Sequence, residues 1–321
     1  MGAQWSQFFP PNPTFTEPDV DIQDGKVFLI TGGTSGIGLE LAKILYKKKG
    51  RVYITGRSEE KGRQAIKDIQ AAESSGGSLE FLQLNLDDLA SIKASVETFK
   101  ARESKLNILW NNAGVSQPPV GSVSKQGIEL QLATNCLGPF LFTQLLLPLL
   151  EATAADSAPG SVRTVWSGSQ VIELSSPPQG IIINELRTPP KDKSRNYTNS
   201  KTRNMFLASE FARRIGSSGI ISVSLNPGAA STNLFRHTPS LNYLAWPLLY
   251  KATQAANTHL YAGLSTDITT EENGCYVTPW GRIWTKMRPD LLEAMKLESD
   301  GGSGRAAEFW DFCQEKTHDY A

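Results

Sequence analysis

An octet near the start of this 321-residue chain, Thr31-Gly32-Gly33-Thr34-Ser35-Gly36-Ile37-Gly38, leaves few folds open. It follows an apolar run, Val27-Phe28-Leu29-Ile30, and opens an amphipathic stretch from Ile37 through Lys49. Glycine lets a chain turn tightly and brings backbone amides close to a phosphate. A helix N-terminus adds unpaired N–H groups and positive potential. Elsewhere such a stretch would be an ordinary turn. Between a strand and a helix it predicts a site for the pyrophosphate of a dinucleotide, with Gly32, Thr34, Ser35, Gly36, Ile37 and Gly38 as its contacts.

The alternation continues along the chain. Short apolar runs at Val52-Tyr53-Ile54, Phe81-Leu82 through Leu86, Ile108-Leu109-Trp110, Val165-Trp166 and Ile221 through Leu225 are separated by helical patterns. Continuous apolar runs of this length suit strands covered on both faces, as in a parallel sheet. Ser58 is placed to cap a helix whose first turn holds Glu59 and Glu60, and helical periodicity also fits residues 88–102, 125–151 and 197–215. This order predicts an α/β fold, a doubly wound parallel sheet of Rossmann type in a single domain with right-handed crossovers. The domain is expected over residues 24–285. Residues 1–23 read as an N-terminal arm and 286–321 as a C-terminal helical extension, in which Gly301-Gly302-Ser303-Gly304 is a flexible joint before a short helix with Trp310 and Phe312.

Composition narrows the partners. Thirty-two basic residues balance 32 acidic ones, so no net field draws the chain to nucleic acid or an anionic membrane. Cys136, Cys275 and Cys313 are widely spaced and form no CxxC, which predicts a reducing, cytoplasmic setting without structural disulfides. Three histidines leave little material for a metal site. No apolar run reads as long enough to span a bilayer, which takes roughly 18–20 residues, and the N-terminus lacks the basic and apolar regions of a secretory signal. Met1-Gly2-Ala3-Gln4-Trp5-Ser6 does match the N-myristoylation pattern at Gly2. The alternative is an arm whose Trp5, Phe8, Phe9 and prolines at 10, 11 and 13 pack over the body.

Tyr197 and Lys201 stand four apart at the start of a helical pattern, so their side chains share one face. A carbonyl becoming an alkoxide needs a proton donor beside it, and tyrosine, with an ordinary pKa of about 10, is a weak acid near neutrality. A neighbouring ammonium favours the phenolate and supplies the missing bias. Such a pair also recurs by chance on ordinary helices. Ser169 strengthens it, because Val165-Trp166-Ser167-Gly168-Ser169 runs to the carboxyl edge of the sheet, where folds of this kind bind ligands. Ser167 is the competing hydroxyl. The second strand closes with Ile54-Thr55-Gly56-Arg57-Ser58, without the carboxylate that bonds the ribose of NAD. Arg57 is instead placed to pair with the 2′-phosphate of NADP(H).

Five motifs occur in order: TGxxxGxG at 31–38, Asn111-Asn112-Ala113-Gly114, Asn135 within Asn-Cys-Leu-Gly, Tyr197 and Lys201 as YxxxK, and Pro227-Gly228 through Thr232 as PGxxxT. In them the chain resembles the short-chain dehydrogenase/reductase family over roughly residues 24–285. It is most similar to fungal retinol-dehydrogenase-like reductases, which share the Ser6-Gln7-Phe8-Phe9-Pro10-Pro11 arm and the PWGRI stretch at 279–283. The resemblance implies that Ser169 hydrogen-bonds the substrate oxygen and that Asn135 holds a water linking Lys201 to solvent. It also implies that Asn112, Tyr197, Lys201, Ala230 and Thr232 contact the cofactor. Where the family commonly has Asp-Leu after the third strand, with the Asp on adenine, this chain has Asn85-Leu86-Asp87-Asp88. Either Asn85, followed by Leu86, or Asp87 in a shifted register meets the adenine.

The expected activity is hydride transfer between NADP(H) and a carbonyl or secondary alcohol, reducing a small hydrophobic ketone or aldehyde of lipid-like or secondary-metabolite kind. The rivals are a non-catalytic NADP(H) sensor and an epimerase or dehydratase on the same fold; a sensor has no reason to keep Ser169, Tyr197, Lys201 and Asn135 together. No nucleic acid or metal is expected, and a homodimer is left open. The long stretch between Ser169 and Tyr197 reads as one wall of the substrate pocket. Leu241, Tyr243, Leu244, Trp246, Leu248, Leu249 and Tyr250 suit either an apolar lid ordered by substrate or permanent packing against the body or a partner.

Overall fold

Apolar runs that the sequence offers as strands sit between two helical layers. The structure, a computed structural model, describes residues 2–237 and 249–321, with the side chains of all but residues 2–4, 235 and 236. Strands β1 (Val27–Ile30), β4 (Ile108–Asn111), β5 (Arg163–Ser167) and β6 (Ile221–Leu225) are buried at every position. Burial on both faces is why they read as continuous apolar runs and do not alternate. With β2 (Arg51–Gly56), β3 (Ser78–Gln83), β7 (Tyr276–Thr278) and β8 (Arg282–Ile283) they form one sheet in the order β3-β2-β1-β4-β5-β6-β7-β8. Every pair is parallel except β7 with β8.

The third strand lies earlier than its apolar letters suggest. Its ladder runs from Ser78 opposite Arg51 to Gln83 opposite Gly56, the last residue of β2, and closes with Leu84 N donating to Gly56 O at 3.0 Å. Leu84 and Leu86 are instead buried side chains of the following loop. Strands β7 and β8 gave no sequence signal because they hold only three and two residues.

The helices in chain order are α1 (Gly2–Phe8), α2 (Gly36–Lys47), α3 (Glu59–Ala72), α4 (Leu89–Lys100), α5 (Leu130–Leu132), α6 (Gly138–Ala155), α7 (Val171–Ser175) and α8 (Asn184–Arg187). They continue with α9 (Lys193–Ile215), α10 (Ala252–Leu264), α11 (Pro289–Met295) and α12 (Arg305–Thr317). As expected, Ser58 caps α3, its hydroxyl accepting from Lys61 N at 3.3 Å. Helix α9 begins four residues before Tyr197 because Asp192 caps it, accepting from Ser194 N and Arg195 N at 2.9 and 3.1 Å. Residues Leu130–Ala155 are long and apolar enough, at a mean hydropathy of 1.4, to cross a bilayer, contrary to the reading of the sequence alone. Yet 67% of their most apolar window is buried inside the fold, with Phe140, Phe142 and Leu146 in the core.

Side chains of β1 divide between the two faces of the sheet, Leu29 joining one apolar core and Phe28 and Ile30 the other. The C-terminal residues belong to the first core. Trp310 of α12 meets Phe140 and Phe211 edge-on at 4.9 and 4.7 Å between ring centres, and Phe309 and Cys313 are fully buried. The glycine stretch before α12 is a bonded turn, not a loose joint: the amides of Gly302, Ser303 and Gly304 donate to Leu297 O, Glu293 O and Lys296 O at 2.9–3.0 Å. Between β1 and β4 the strand order reverses direction, and there the carboxyl ends of the strands open a crevice.

Candidate active site

The crevice is a cavity of about 740 Å3. Its floor on one side is the glycine loop. Thr31 N donates to Trp110 O at 3.0 Å, Asn112 Nδ2 donates to Thr31 O at 2.9 Å, and Ala113 N donates to Thr31 Oγ1 at 2.9 Å. The loop after β1 is thus pinned to the loop after β4, which explains the Asn-Asn-Ala-Gly sequence. Gly32 has φ +68°, a left-handed conformation that disfavours side chains. Gly38 lies beneath the loop, where a Cβ would stand 2.7 Å from Asn112 Nδ2 and Gly32 O, and it does not face the cavity. Gly32, Thr34, Ser35, Gly36 and Ile37 do. Ser35 occupies the N-cap of α2 without its hydroxyl capping the helix. The first-turn amides therefore stand ready for an anion.

Arg57, Asn85, Leu86 and Asn112 line the same half, and Ala230 and Thr232 reach it from the turn after β6. Arg57, 67% exposed, pairs with Asp87 at 3.2 Å. That pairing separates the two candidates for adenine. The Asp87 carboxylate is turned to Arg57, while Asn85 Oδ1 is buried with no protein partner. An orphaned buried acceptor costs about 1–3 kcal/mol, and an amino group arriving from a ligand would satisfy it. An adenine-bearing dinucleotide fits these residues: a helix N-terminus for its pyrophosphate, Asn85 for its amino group, Arg57 for a phosphate.

The opposite half carries the titratable groups. Strand β5 ends at Ser167, whose Oγ lies 3.1 Å from His259 Nε2 on α10, away from the reacting groups. Gly168 N donates to Leu225 O at 2.7 Å, and the chain then delivers Ser169 to the cavity. Ser169 and Tyr197 both line the cavity, and the Ser169 hydroxyl is near enough to the phenol to bias its titration. Of the two serines, Ser169 is the one at the tyrosine. Burial pushes the Tyr197 phenol up to about 12, against the Ser169 hydroxyl, and pushes the Lys201 ammonium down to about 8. Lys201 Nζ donates to Ser167 O at 3.0 Å and sits over the Tyr197 ring, 5.8 Å from its centre. Burial thus outweighs the downward bias expected of the ammonium, and the phenol of the resting site stays protonated.

Asn135 lies in a π turn, Ala133–Leu137, between α5 and α6, with its side chain already engaged. Its Nδ2 donates to Val115 O and Ser200 Oγ at 3.0 and 2.9 Å, and its Oδ1 accepts from Val115 N at 2.8 Å. This clamp ties the loop after β4 to the helix of Tyr197 and Lys201. Asn135 does not itself line the cavity. Sequence reasoning missed Asn204, whose Nδ2 donates to Ser167 O at 3.1 Å beside Lys201. Its position three residues after Lys201, on the same helical face, was the available signal. His259 was missed because α10 was not recognised as a helix.

Of the stretch between Ser169 and Tyr197, Gln170, Val171 and Leu174 line the cavity, whereas Ile181 and Leu186 are buried in the core. The arm packs over the body: Phe8 lines the cavity and Gln7 is buried. Of the apolar segment considered as a lid, Leu241 through Leu248 lie outside the described residues. Tyr250 is fixed, its ring edge-on to Trp280 at 4.9 Å and its hydroxyl donating to Phe8 O at 3.0 Å.

The short chain dehydrogenase family model matches residues 26–176. A short-chain dehydrogenase/reductase of Pestalotiopsis fici is 44% identical over 323 residues, covering 97% of this chain and 96% of the relative. One of Phomopsis amygdali is 42% identical over 325 residues, covering 98% and 96%. Among solved structures, an uncharacterized protein from Mycobacterium paratuberculosis superposes with a TM-score of 0.70 at 26% identity, over 95% of this chain and 97% of its own.

Proposed function

We propose, on the premise that this chain belongs to the short-chain dehydrogenase/reductase family of oxidoreductases, that it reduces a hydrophobic ketone or aldehyde with NADPH. One observation carries the reading: Ser169 and Tyr197 line the same cavity as the glycine loop, with Lys201 one helical turn behind the tyrosine. When bound, the nicotinamide cofactor supplies the hydride. Gly32, Thr34, Ser35, Gly36 and Ile37 would hold its pyrophosphate, Asn85 and Leu86 its adenine, and Asn112, Ala230 and Thr232 the remainder. Arg57 would hold the 2′-phosphate.

The chain's own groups handle the proton. Burial keeps Tyr197 neutral through the physiological range, so it meets a substrate carbonyl as a donor. Ser169 shares that oxygen, fixing the carbonyl where the phenol reaches it. Once the proton has moved, the phenolate left behind is stabilised by the Lys201 ammonium over the ring and by the Ser169 hydroxyl. Ser167 O and its second donor, Asn204, hold the lysine in place. Phe8, Val115, Val171 and Leu174 give this half an apolar lining, which favours an apolar substrate.

The test is a panel of ketones and aldehydes of graded size and polarity, with NADPH or NADH consumption followed by absorbance. Apolar carbonyls should be reduced, with kcat/KM for NADPH at least tenfold above that for NADH. A preference for NADH would remove Arg57 from its role. Consumption of neither cofactor with any carbonyl would sink the reading.

A further inference from the structure

We propose that the N-terminal helix α1 is a fixed wall of the substrate pocket, in which Phe8 selects for substrate bulk and Gln7 is the peg that holds it. The proposal rests on the oxidoreductase reading above. A seven-residue helix has no stability of its own in water, so its position must come from contacts with the body. Its last carbonyls, which lack helical partners, are met from the body: Arg282 Nη2 donates to Ser6 O at 2.8 Å and Tyr250 Oη to Phe8 O at 3.0 Å.

Gln7 is 1% exposed, and both ends of its amide are engaged. Its Nε2 donates to Glu173 Oε2 at 3.2 Å, and its Oε1 accepts from Asn226 Nδ2 at 3.0 Å. Glu173 stands on α7, the short helix that follows Ser169, and its other oxygen accepts from Trp284 Nε1 at 2.8 Å. Asn226 opens the turn after β6, where its Oδ1 accepts from Gly228 N at 2.9 Å. Gln7 therefore bridges the two loops that border the cavity on this side, and a buried polar network satisfied at every member holds its parts in one arrangement.

The neighbouring Phe8 lines the cavity with Ser169, Tyr197, Val171 and Leu174, while Trp5 and Phe9 pack against each other at a tilt outside it, 4.5 Å between ring centres. The aromatic residues at 5, 8 and 9 are thus sorted, one into the pocket and two away from it. Residues outside the catalytic domain expected from the sequence complete its substrate side.

Three variants of the full chain decide it: Phe8→Ala, Phe8→Trp and Gln7→Ala. The readout is the ratio of kcat/KM for a long-chain methyl ketone to that for a short one, beside the cofactor dissociation constant from fluorescence titration. Phe8→Ala and Phe8→Trp should shift the ratio in opposite directions, each at least fivefold, with the cofactor constant within twofold of the intact chain. Gln7→Ala should shift the ratio as Phe8→Ala does, and should speed amide hydrogen exchange in residues 5–9 and 171–175 together at least tenfold. An unchanged ratio in both Phe8 variants, or equal losses across substrate size and cofactor, would overturn the selectivity role. Exchange in residues 5–9 as fast in the intact chain as in Gln7→Ala would overturn the wall. A chain that turns over no carbonyl with either cofactor refutes the oxidoreductase reading and the Phe8 role with it, while the exchange result still judges whether the arm is fixed.

Discussion

At Lys201 burial and charge oppose each other, and two consequences can be measured. Its pKa in the folded chain, about 8, lies below the ordinary 10.5, so the fold disfavours the ammonium by about 3 kcal/mol at neutral pH, at roughly 1.4 kcal/mol per unit. That penalty is fully present below about pH 8 and fades as pH rises toward 10.5. Lys201→Met, with Asn204 still bonded to Ser167 O, should therefore raise the thermal midpoint at pH 7 while lowering turnover at least a hundredfold. A lower midpoint would mean the lysine is a structural tie. In the intact chain the reduction rate should fall as pH rises through about 8, where the ammonium is lost, since Tyr197 stays protonated to about 12. A flat profile to pH 10 would detach Lys201 from catalysis. Arg57 is exposed and pairs with Asp87 through Nη1 at 3.2 Å. Arg57→Ala should weaken NADPH by about tenfold, the low end of a charge-assisted contact, and NADH by less than twofold, as titration would show. Tyr197, Lys201 and Ser169 were legible because helical spacing and a strand end fix which way they face. The carbonyl that receives the lysine was not, since Ser167 O and Asn204 become its neighbours only when β5 lies against α9.

Elements were read best where one force decides them. Strands β1, β4, β5 and β6 are buried on both sides, and their letters say so. Strand β3 was misplaced because its boundary is set by hydrogen bonding to β2 and not by its own side chains. Helix α10 escaped notice because most of its buried face, Ala255, Ala256, Thr258, His259, Ala262 and Gly263, is small or polar, and only Leu260 and Tyr261 are large apolar members of it. The C-terminal helix shows the reverse case, an extension that shares the domain's core. Trp310 lies against Phe140, Phe211 and the Arg214 guanidinium, 4.5 Å above its ring. Trp310→Ala should lower the unfolding free energy in urea by about 3–5 kcal/mol. A loss under about 1 kcal/mol would show that α12 is not integral to the core.

On the scale of the molecule, the glycine loop, the Asn-Asn-Ala-Gly loop, Ser169 and the Tyr197–Lys201 helix come from distant parts of the chain and converge because the strand order turns at β1 and β4. That convergence follows from alternating strands and helices, so the position of the site was legible before its details. The substrate wall contributed by residues 5–9 was not, since it depends on where a short arm comes to rest. The central claim is that Tyr197 gives the proton to a carbonyl oxygen in a site that binds its cofactor independently of that hydroxyl. The direct measurement is carbonyl-dependent NADPH oxidation by the intact chain and by Tyr197→Phe, with NADPH affinity titrated for both. Tyr197→Phe should lose at least a hundredfold in kcat while its NADPH dissociation constant stays within about twofold. Retention of more than a tenth of the rate, or a loss explained by failed cofactor binding, would contradict it.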